Sequence, residues 1–262
     1  MRTLLGALLA LLIPIIGYTQ EKPQDILKKA EKKSVSIYLR EWGKLSQFCS
    51  GGIIYADSNI VRVLTAGHCI AIPQKEAKTI QFAISRDGLN FIKAEVLASG
   101  WKPKETPNYT FPFSLKAIMP SLEQAGDYND VADTSGGDWA VLEYKNVFGE
   151  EPANLIGDSS KLELGDNVYS VGYPAAGDKV ASSGMISNLH YYAPQIAWDG
   201  YLAANISAAP GSSGSTVYDS SGKVIGIIVA GLNGTLLHFL TPINLVKEKI
   251  SCINKPTCNG FH

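Results

Sequence analysis

The chain has 262 residues, of which 45% are hydrophobic and 18% charged, and its formal net charge is -1 at pH 7. This composition is typical of a folded protein with one large core or two smaller ones. A net charge so close to zero provides no field that would attract nucleic acid or an anionic membrane surface, so neither is a predicted partner.

The first twenty residues differ from the rest of the chain. Arg2 is followed by an uninterrupted apolar run from Leu4 to Gly17. A positive start followed by such a run is typical of an export signal, and the run is shorter than the roughly 20 apolar residues that span a bilayer. We predict a signal peptide over residues 1–19 and a secreted mature protein, extracellular or periplasmic, outside the membrane; a retained anchor is the alternative.

Residues 20–33 are predicted to be a pro-segment or a short helix, because Ile26, Leu27 and Ala30 are spaced like one helical face. From residue 34 the hydrophobic period becomes that of strands. The predicted strands are Ser34–Leu39, Phe48–Tyr55, Ile60–Thr65, Thr79–Ser85, Asn90–Leu97, Asp138–Tyr144, Asn167–Tyr173, Lys179–Ser187, Tyr201–Ile206, Thr216–Tyr218, Val224–Val229 and Leu236–Thr241. A C-terminal helix is predicted from Pro242 to Lys249.

Many short strands without βα alternation are typical of an all-β sandwich or barrel architecture. The segment Val147–Leu162, which contains Pro152 and Gly157, is the predicted linker between two halves. We therefore assign residues 34–146 to an N-terminal unit and residues 147–262 to the linker with a C-terminal unit. The aperiodic segment from Gly100 to Gly137 is predicted to be an extended loop region.

The four cysteines are expected to form disulfides, since an exported protein folds in an oxidising compartment. Spacing alone does not choose among the three possible pairings. The small loop around Pro256 favours Cys252–Cys258, which leaves Cys49–Cys69. A zinc site is disfavoured because the chain has no Cys-x-x-Cys pair, so no metal or other cofactor is predicted.

Three motifs carry candidate chemistry, each modest on its own. They are Leu64-Thr65-Ala66-Gly67-His68-Cys69, Gly136-Gly137-Asp138-Trp139-Ala140-Val141-Leu142 and Pro210-Gly211-Ser212-Ser213-Gly214-Ser215. Together they present His68, Asp138 and Ser213 in the order His, Asp, Ser, which is a strong signal of a catalytic triad. Asp133 is the alternative acid.

The residue types suit this chemistry. A serine hydroxyl becomes an effective nucleophile when an imidazole accepts its proton, and an unperturbed imidazole titrates near neutral pH. His68 is the predicted base, Asp138 orients it, and Ser213 attacks. The flexibility of Gly211 would let its amide and that of Ser213 point at a developing oxyanion.

The motifs resemble those of known enzymes. Cys49-Ser50-Gly51-Gly52 with Thr65–Cys69 resembles the first half of trypsin-like serine proteases, in which the two cysteines are bonded beside the catalytic histidine. The other resembling segments are Asp138–Leu142, Val171–Pro174, Gly211–Ser215, Val224–Ile227 and Thr241–Asn244, the last four similar to glutamyl endopeptidases and high-temperature-requirement proteases. The resemblance covers roughly residues 34 to 247. It implies two antiparallel six-stranded β-barrels, with His68 and Asp138 on the first, Ser213 on the second and the site between them.

The same resemblance suggests a specificity pocket and a mode of activation. The pocket base would involve Ser207 and Ala208, one wall would be formed by Ile228, Val229, Ala230 and Gly231, and the other would lie near His238. No Asp is present there to meet Lys or Arg, so we expect cleavage after small or medium apolar side chains, with acidic specificity through His238 as the alternative. Animal trypsins carry an acid where this chain has Ser212, so activation by a freed N-terminus is not expected.

The sequence therefore predicts a secreted, monomeric serine endopeptidase that acts on peptides or proteins. A catalytically inactive protease-fold binding protein is the main alternative, because a fold does not determine function. An α/β-hydrolase esterase is a weaker one, since that fold needs the chain order Ser, acid, His.

Overall fold

A computed structural model of the chain describes eight stretches of the sequence. They are residues 21–41, 44–70, 81–100, 102–103, 132–133, 137–193, 198–232 and 234–252. The predicted signal peptide and the predicted Cys252–Cys258 bond lie outside what is described. Within the described stretches, no helix has the length and apolar character needed to cross a bilayer.

The N-terminal half forms a closed antiparallel barrel of six strands. In chain order the strands of this half are β1 (Ser34–Glu41), β2 (Lys44–Ala56), β3 (Ile60–Thr65), β4 (Gln81–Ser85), β5 (Ile92–Ser99), β6 (Lys102–Pro103), β7 (Ala132–Asp133), β8 (Ala140–Lys145) and β9 (Ala153–Asn154). The ring runs β1-β4-β5-β8-β3-β2, and β2 pairs with β1 to close it. Strand β9 extends the sheet beyond β2, and β6 pairs with β7.

The C-terminal half forms a second closed barrel. Its strands are β10 (Asn167–Gly172), β11 (Val180–Ala193), β12 (Trp198–Asn205), β13 (Thr216–Tyr218), β14 (Val224–Gly231) and β15 (Leu237–Pro242). They follow one another around the ring as β10-β11-β12-β15-β14-β13. Helix α1 (Pro23–Lys33) precedes the first barrel and helix α2 (Ile243–Cys252) follows the second. The predicted fold, two six-stranded antiparallel barrels with a short helix at each end, is confirmed.

Hydrophobic side chains that alternate along the strands fill both barrels, as the strand period requires. Fully or almost fully buried examples in the second barrel are Val168, Ile186 and Leu240. A second, larger cluster fills the first barrel and continues into the contact with the second. The two cores thus hold the loops at the barrel ends in a fixed relation to each other.

The observed elements differ from the predicted ones mainly at their ends. Strand β11 runs six residues past the predicted Ser187, and Pro242 pairs with Gly226 in the β14–β15 ladder, so α2 begins one residue later than expected. The predicted linker is partly tied to the first barrel, because Ala153–Asn154 pairs with β2.

Candidate active site

His68 lies in a turn that the first barrel fixes from two sides. Strand β3 ends at Thr65, and a 3-10 turn over Gly67–Cys69 follows. A disulfide between Cys49 of β2 and Cys69, with 6.2 Å between the Cα atoms, ties this turn to the neighbouring strand. The predicted Cys49–Cys69 disulfide is therefore present in the structure.

Asp138 reaches His68 because of the strand register. Strands β3 and β8 are antiparallel with Thr65 opposite Ala140, so the residues after Thr65 and before Ala140 leave the barrel at the same end. The Asp138 carboxylate accepts two hydrogen bonds from His68, from the backbone amide to Oδ1 at 2.9 Å and from Nδ1 to Oδ2 at 2.8 Å. Because Nδ1 donates its proton to a carboxylate, Nε2 of the neutral ring is left as the acceptor.

Groups from the second barrel hold the backbone of Asp138. The Thr241 hydroxyl donates to the Asp138 carbonyl at 2.8 Å, and the Asp138 amide donates to the Tyr201 hydroxyl oxygen at 3.3 Å. Burial raises the pKa of Tyr201, and the negative charge of Asp138 acts in the same direction, so this phenol stays protonated. The buried carboxylate therefore has a neutral neighbour in the opposite barrel.

Ser213 lies in the turn between β12 and β13, held against the histidine segment. The turn uses the left-handed region at Gly211 (φ +94) and Gly214 (φ +85), which favours glycine. A Cβ at Gly214 would lie 2.9 Å from the Ala66 amide nitrogen, so the backbone beside Ser213 contacts the residues that lead into His68. The structure thus brings all three predicted triad residues to the contact between the barrels.

The amides of Gly211 and Ser213 are the predicted oxyanion donors. The Pro210 carbonyl accepts a hydrogen bond from the Ala175 amide, and in a trans peptide this turns the Gly211 N–H to the opposite side. Within the described part of the chain, neither of these two amides has a hydrogen-bond acceptor. Two such donors in one turn form a candidate oxyanion hole.

The predicted pocket residues lie on strands β14 and β15 and on the segment before the serine turn. Ile228 and Val229 are buried, and Ile228 packs in the second core, against which Ala208 also packs, whereas Ser207 is exposed. His238 pairs with Gly231 across the β14–β15 ladder, and a Cβ at Gly231 would lie 2.4 Å from its ring. The Leu236 carbonyl lies 3.1 Å from Nδ1 of His238.

One group of potential metal ligands exists among the described residues, and it offers no thiolate. The ligand atoms of Cys49, His68 and Cys69 lie within 4.8 Å of one another. Both sulfur atoms are bonded in the disulfide, and zinc binding by cysteine needs the free thiolate. This cluster therefore supports no metal site.

Sequence reasoning missed the residues that support the site rather than form it. Tyr201 and Thr241 hold Asp138, and Ser50 bonds to the serine turn. Ser50 and Thr241 do fall within motifs that carry the family resemblance, and this position is a signal that could have pointed to them. Their hydrogen-bond partners are far away in the sequence and could not be recognised from it.

A family model described as the trypsin-like peptidase domain matches residues 49–227. The chain belongs to this family. The matched residues include all three proposed triad members.

Two relatives are similar to parts of this trypsin-like chain. A probable periplasmic serine endoprotease DegP-like of Halomonas elongata is 32% identical over 101 residues, covering 37% of this chain and 21% of the relative. The putative serine protease HhoA of Synechocystis sp. is 30% identical over 115 residues, covering 42% and 29%. The chain thus spans less than a third of the length of these relatives.

Solved structures share the trypsin-like fold. The HtrA-type protease AlgW with tripeptide superposes with a TM-score of 0.60 at 18% identity, over 90% of this chain and 65% of that one. An inactive form of Rv3671c from M. tuberculosis gives a TM-score of 0.56 at 18% identity, over 90% and 93%. At this identity the likeness establishes the fold of the chain.

Proposed function

We propose that this chain is an exported serine endopeptidase that uses Ser213 as nucleophile, His68 as general base and Asp138 as the orienting acid. The observation that carries the proposal is the paired contact of Asp138 with the His68 amide and ring, next to the Ser213 turn. Export is supported by the predicted signal peptide and by the periplasmic DegP-like relatives.

The first half of the reaction forms an acyl-enzyme. Nε2 of His68 takes the Ser213 hydroxyl proton as Oγ attacks the carbonyl carbon of the scissile peptide bond. The carbonyl oxygen becomes an oxyanion that the Gly211 and Ser213 amides stabilise. The C–N bond then breaks, and the proton on His68 passes to the leaving amine.

The second half releases the acid product. A water molecule gives a proton to His68 and attacks the acyl carbon, which forms a second oxyanion in the same place. When the bond to Ser213 breaks, His68 returns the proton to Oγ. Throughout, Asp138 keeps the proton on Nδ1 and stabilises the imidazolium that forms.

The alternatives have less support. The double-barrel fold is not the strand–helix architecture of an α/β-hydrolase. An inactive binding protein would need neither an ordered histidine–carboxylate pair nor a glycine turn whose two amides have no acceptor among the described residues, so both features favour a peptidase.

Substitution of the nucleophile tests the proposal. Ser213→Ala should remove peptidase turnover, a loss on the order of 10⁶ in kcat, because the attacking oxygen is gone. The measurement is hydrolysis of a mixed peptide pool, with labelling by a fluorophosphonate as a direct probe of the activated serine.

Ser183→Ala is the matched control, since this serine is exposed on β11. It should keep full turnover and labelling. A Ser213→Ala protein that still hydrolyses peptides after removal of contaminants would contradict the assignment of the nucleophile. An unlabelled, inactive wild type would favour the binding protein.

A further inference from the structure

Ser50 makes four hydrogen bonds at the point where the two barrels meet. It lies in β2, is fully buried, and follows Cys49 of the disulfide. Its hydroxyl donates to the Gly211 carbonyl at 2.7 Å and accepts from the Tyr173 amide at 2.9 Å. Its amide donates to the Ser213 carbonyl at 2.8 Å, and its carbonyl accepts from the Thr65 hydroxyl at 2.7 Å.

Two of these bonds fix the turn that carries the proposed oxyanion donors. On the N-terminal side of Gly211, the Pro210 carbonyl is bonded to the Ala175 amide; on the C-terminal side, the Gly211 carbonyl is bonded to Ser50 Oγ. The Pro210–Gly211 plane, which carries the Gly211 N–H, and the Gly211–Ser212 plane, which leads toward Ser213, are therefore both held. The bond from the Ser50 amide holds the turn again at Ser213.

A third bond connects the same residue to the histidine segment. Thr65 ends β3, three residues before His68, and its hydroxyl donates to the Ser50 carbonyl. Ser50 therefore contacts both loops of the proposed active site while lying outside the triad. A displacement at this residue would change the position of the oxyanion donors relative to the base.

We propose that Ser50 is a positioning residue for the oxyanion hole, acting through its hydroxyl on the carbonyl of the Gly211–Ser212 peptide. The inference rests on the peptidase function proposed above. Replacement by alanine would leave the buried Gly211 carbonyl and the Tyr173 amide without their hydrogen-bond partner. An unpaired buried group is costly, which favours rotation of its peptide toward another partner. The Gly211–Ser212 peptide lies between the two peptide planes that carry the donors, so a change in its orientation would displace the Gly211 and Ser213 amides relative to each other.

The prediction separates this role from ordinary structural support. Ser50→Ala should lower kcat by about 10- to 100-fold, less than the loss of a whole oxyanion donor, while KM stays within about threefold. Affinity for a peptide boronic acid should fall by a similar factor, because its tetrahedral adduct places an oxygen against the two amides. Steady-state kinetics and inhibition constants provide the measurement.

Ser36→Ala is the matched control. Ser36 is also fully buried, and its hydroxyl donates to the Ser85 carbonyl at 3.1 Å inside the first barrel. This variant should lower the melting temperature without changing kcat or boronate affinity. If Ser50→Ala does not fold, Ser50→Gly also lacks the hydroxyl while retaining the backbone bonds to Ser213 and Thr65.

The outcomes are distinguishable. Ser50 variants that lose stability as Ser36→Ala does but keep the kcat and boronate affinity of the wild type would overturn the positioning role and leave the proposed peptidase intact. A wild type without turnover or boronate binding would overturn the proposed function and this inference with it.

Discussion

At the scale of single residues, His238 limits the space beside β14. Its ring lies where a side chain on Gly231 would point, 2.4 Å from that Cβ position, and the residue is buried. Ile228, on the same proposed wall, packs into the core of the second barrel. The His238 ring would narrow a pocket at this place, and none of the described residues proposed to line it is a carboxylate that could meet a basic side chain.

We therefore expect cleavage after small or medium apolar residues, and a wider pocket in His238→Gly. In this variant, kcat/KM for substrates with Phe or Tyr before the cleaved bond should rise by about 10-fold relative to kcat/KM for substrates with Ala there. A few added methylene-sized contacts are worth this much. Profiling both proteins on a mixed peptide library measures the shift. A wild-type preference for Arg or Lys would contradict the pocket assignment, and a dominant Glu would make His238 a specificity residue.

The proposed triad could be identified from the sequence because each member stands in a short local motif. Ser50 could not, since its hydroxyl bonds to groups 161 and 123 residues away, at Gly211 and Tyr173. Such partners become neighbours only when the two barrels meet. A buried serine between a cysteine and a glycine has no local pattern that distinguishes a positioning role from simple packing.

At the scale of elements, α1 is anchored at its face and at its C-terminal end. Ile26 and Ala30 are fully buried, and the helix packs chiefly against β10 of the second barrel. Arg86 donates to the Lys32 carbonyl at 2.7 Å and Lys179 to the Glu31 carbonyl at 2.9 Å, which satisfies carbonyls at the helix end. We therefore propose that this helix supports the fold and is retained.

Loss of the Ile26 side chain should accordingly destabilise the protein. Ile26→Ala should lower the free energy of unfolding by about 2–5 kcal/mol, because it removes buried methyl groups and leaves a cavity. Urea unfolding monitored by tryptophan fluorescence measures the change. Lys28→Ala, at an exposed position of the same helix, should be close to neutral. A chain shortened to begin at Ser34 with unchanged stability would instead support a dispensable pro-segment.

Strand prediction succeeded where apolar residues are closely bounded by turns and failed where they are not. Strands β3 and β13 have the predicted limits, Ile60–Thr65 and Thr216–Tyr218. The second half of β11, which ends at Ala193, lies beyond the predicted strand end at Ser187. This part of the strand is held extended by its pairing with β12 and by the contact of Tyr191 with Phe239, whose ring centroids lie 4.5 Å apart.

At the scale of the whole molecule, the proposed site depends on how closely the two barrels approach. Gly52 of β2 and Gly172 of β10 allow this approach: a Cβ at Gly52 would lie 2.1 Å from the Thr216 hydroxyl oxygen, and one at Gly172 would lie 2.0 Å from that of Ser215. Neither glycine has a positive φ, so what each provides is space. The sequence contains both glycines, but the pairs of surfaces that they bring together follow only from the assembled fold.

A methyl group at Gly52 should therefore separate the barrels and misalign the site. Its Cβ would also lie 2.8 Å from the Thr216 Cβ, a contact that rotation of the threonine side chain cannot relieve. Gly52→Ala should cost about 1–3 kcal/mol of stability through overpacking. It should also reduce kcat at least about 10-fold, because His68 and Ser213 belong to different barrels and small displacements are costly. The measurements are urea unfolding and hydrolysis of the best library peptide.

Gly149→Ala is the control, since a Cβ there meets nothing within 4 Å. Its positive φ should cost about 1 kcal/mol of stability, with activity unchanged. Adding Thr216→Ala to Gly52→Ala removes two of the three close contacts. The double variant should therefore recover part of the lost stability and part of the lost kcat. Full activity in Gly52→Ala itself would show that the site tolerates a shift between the barrels.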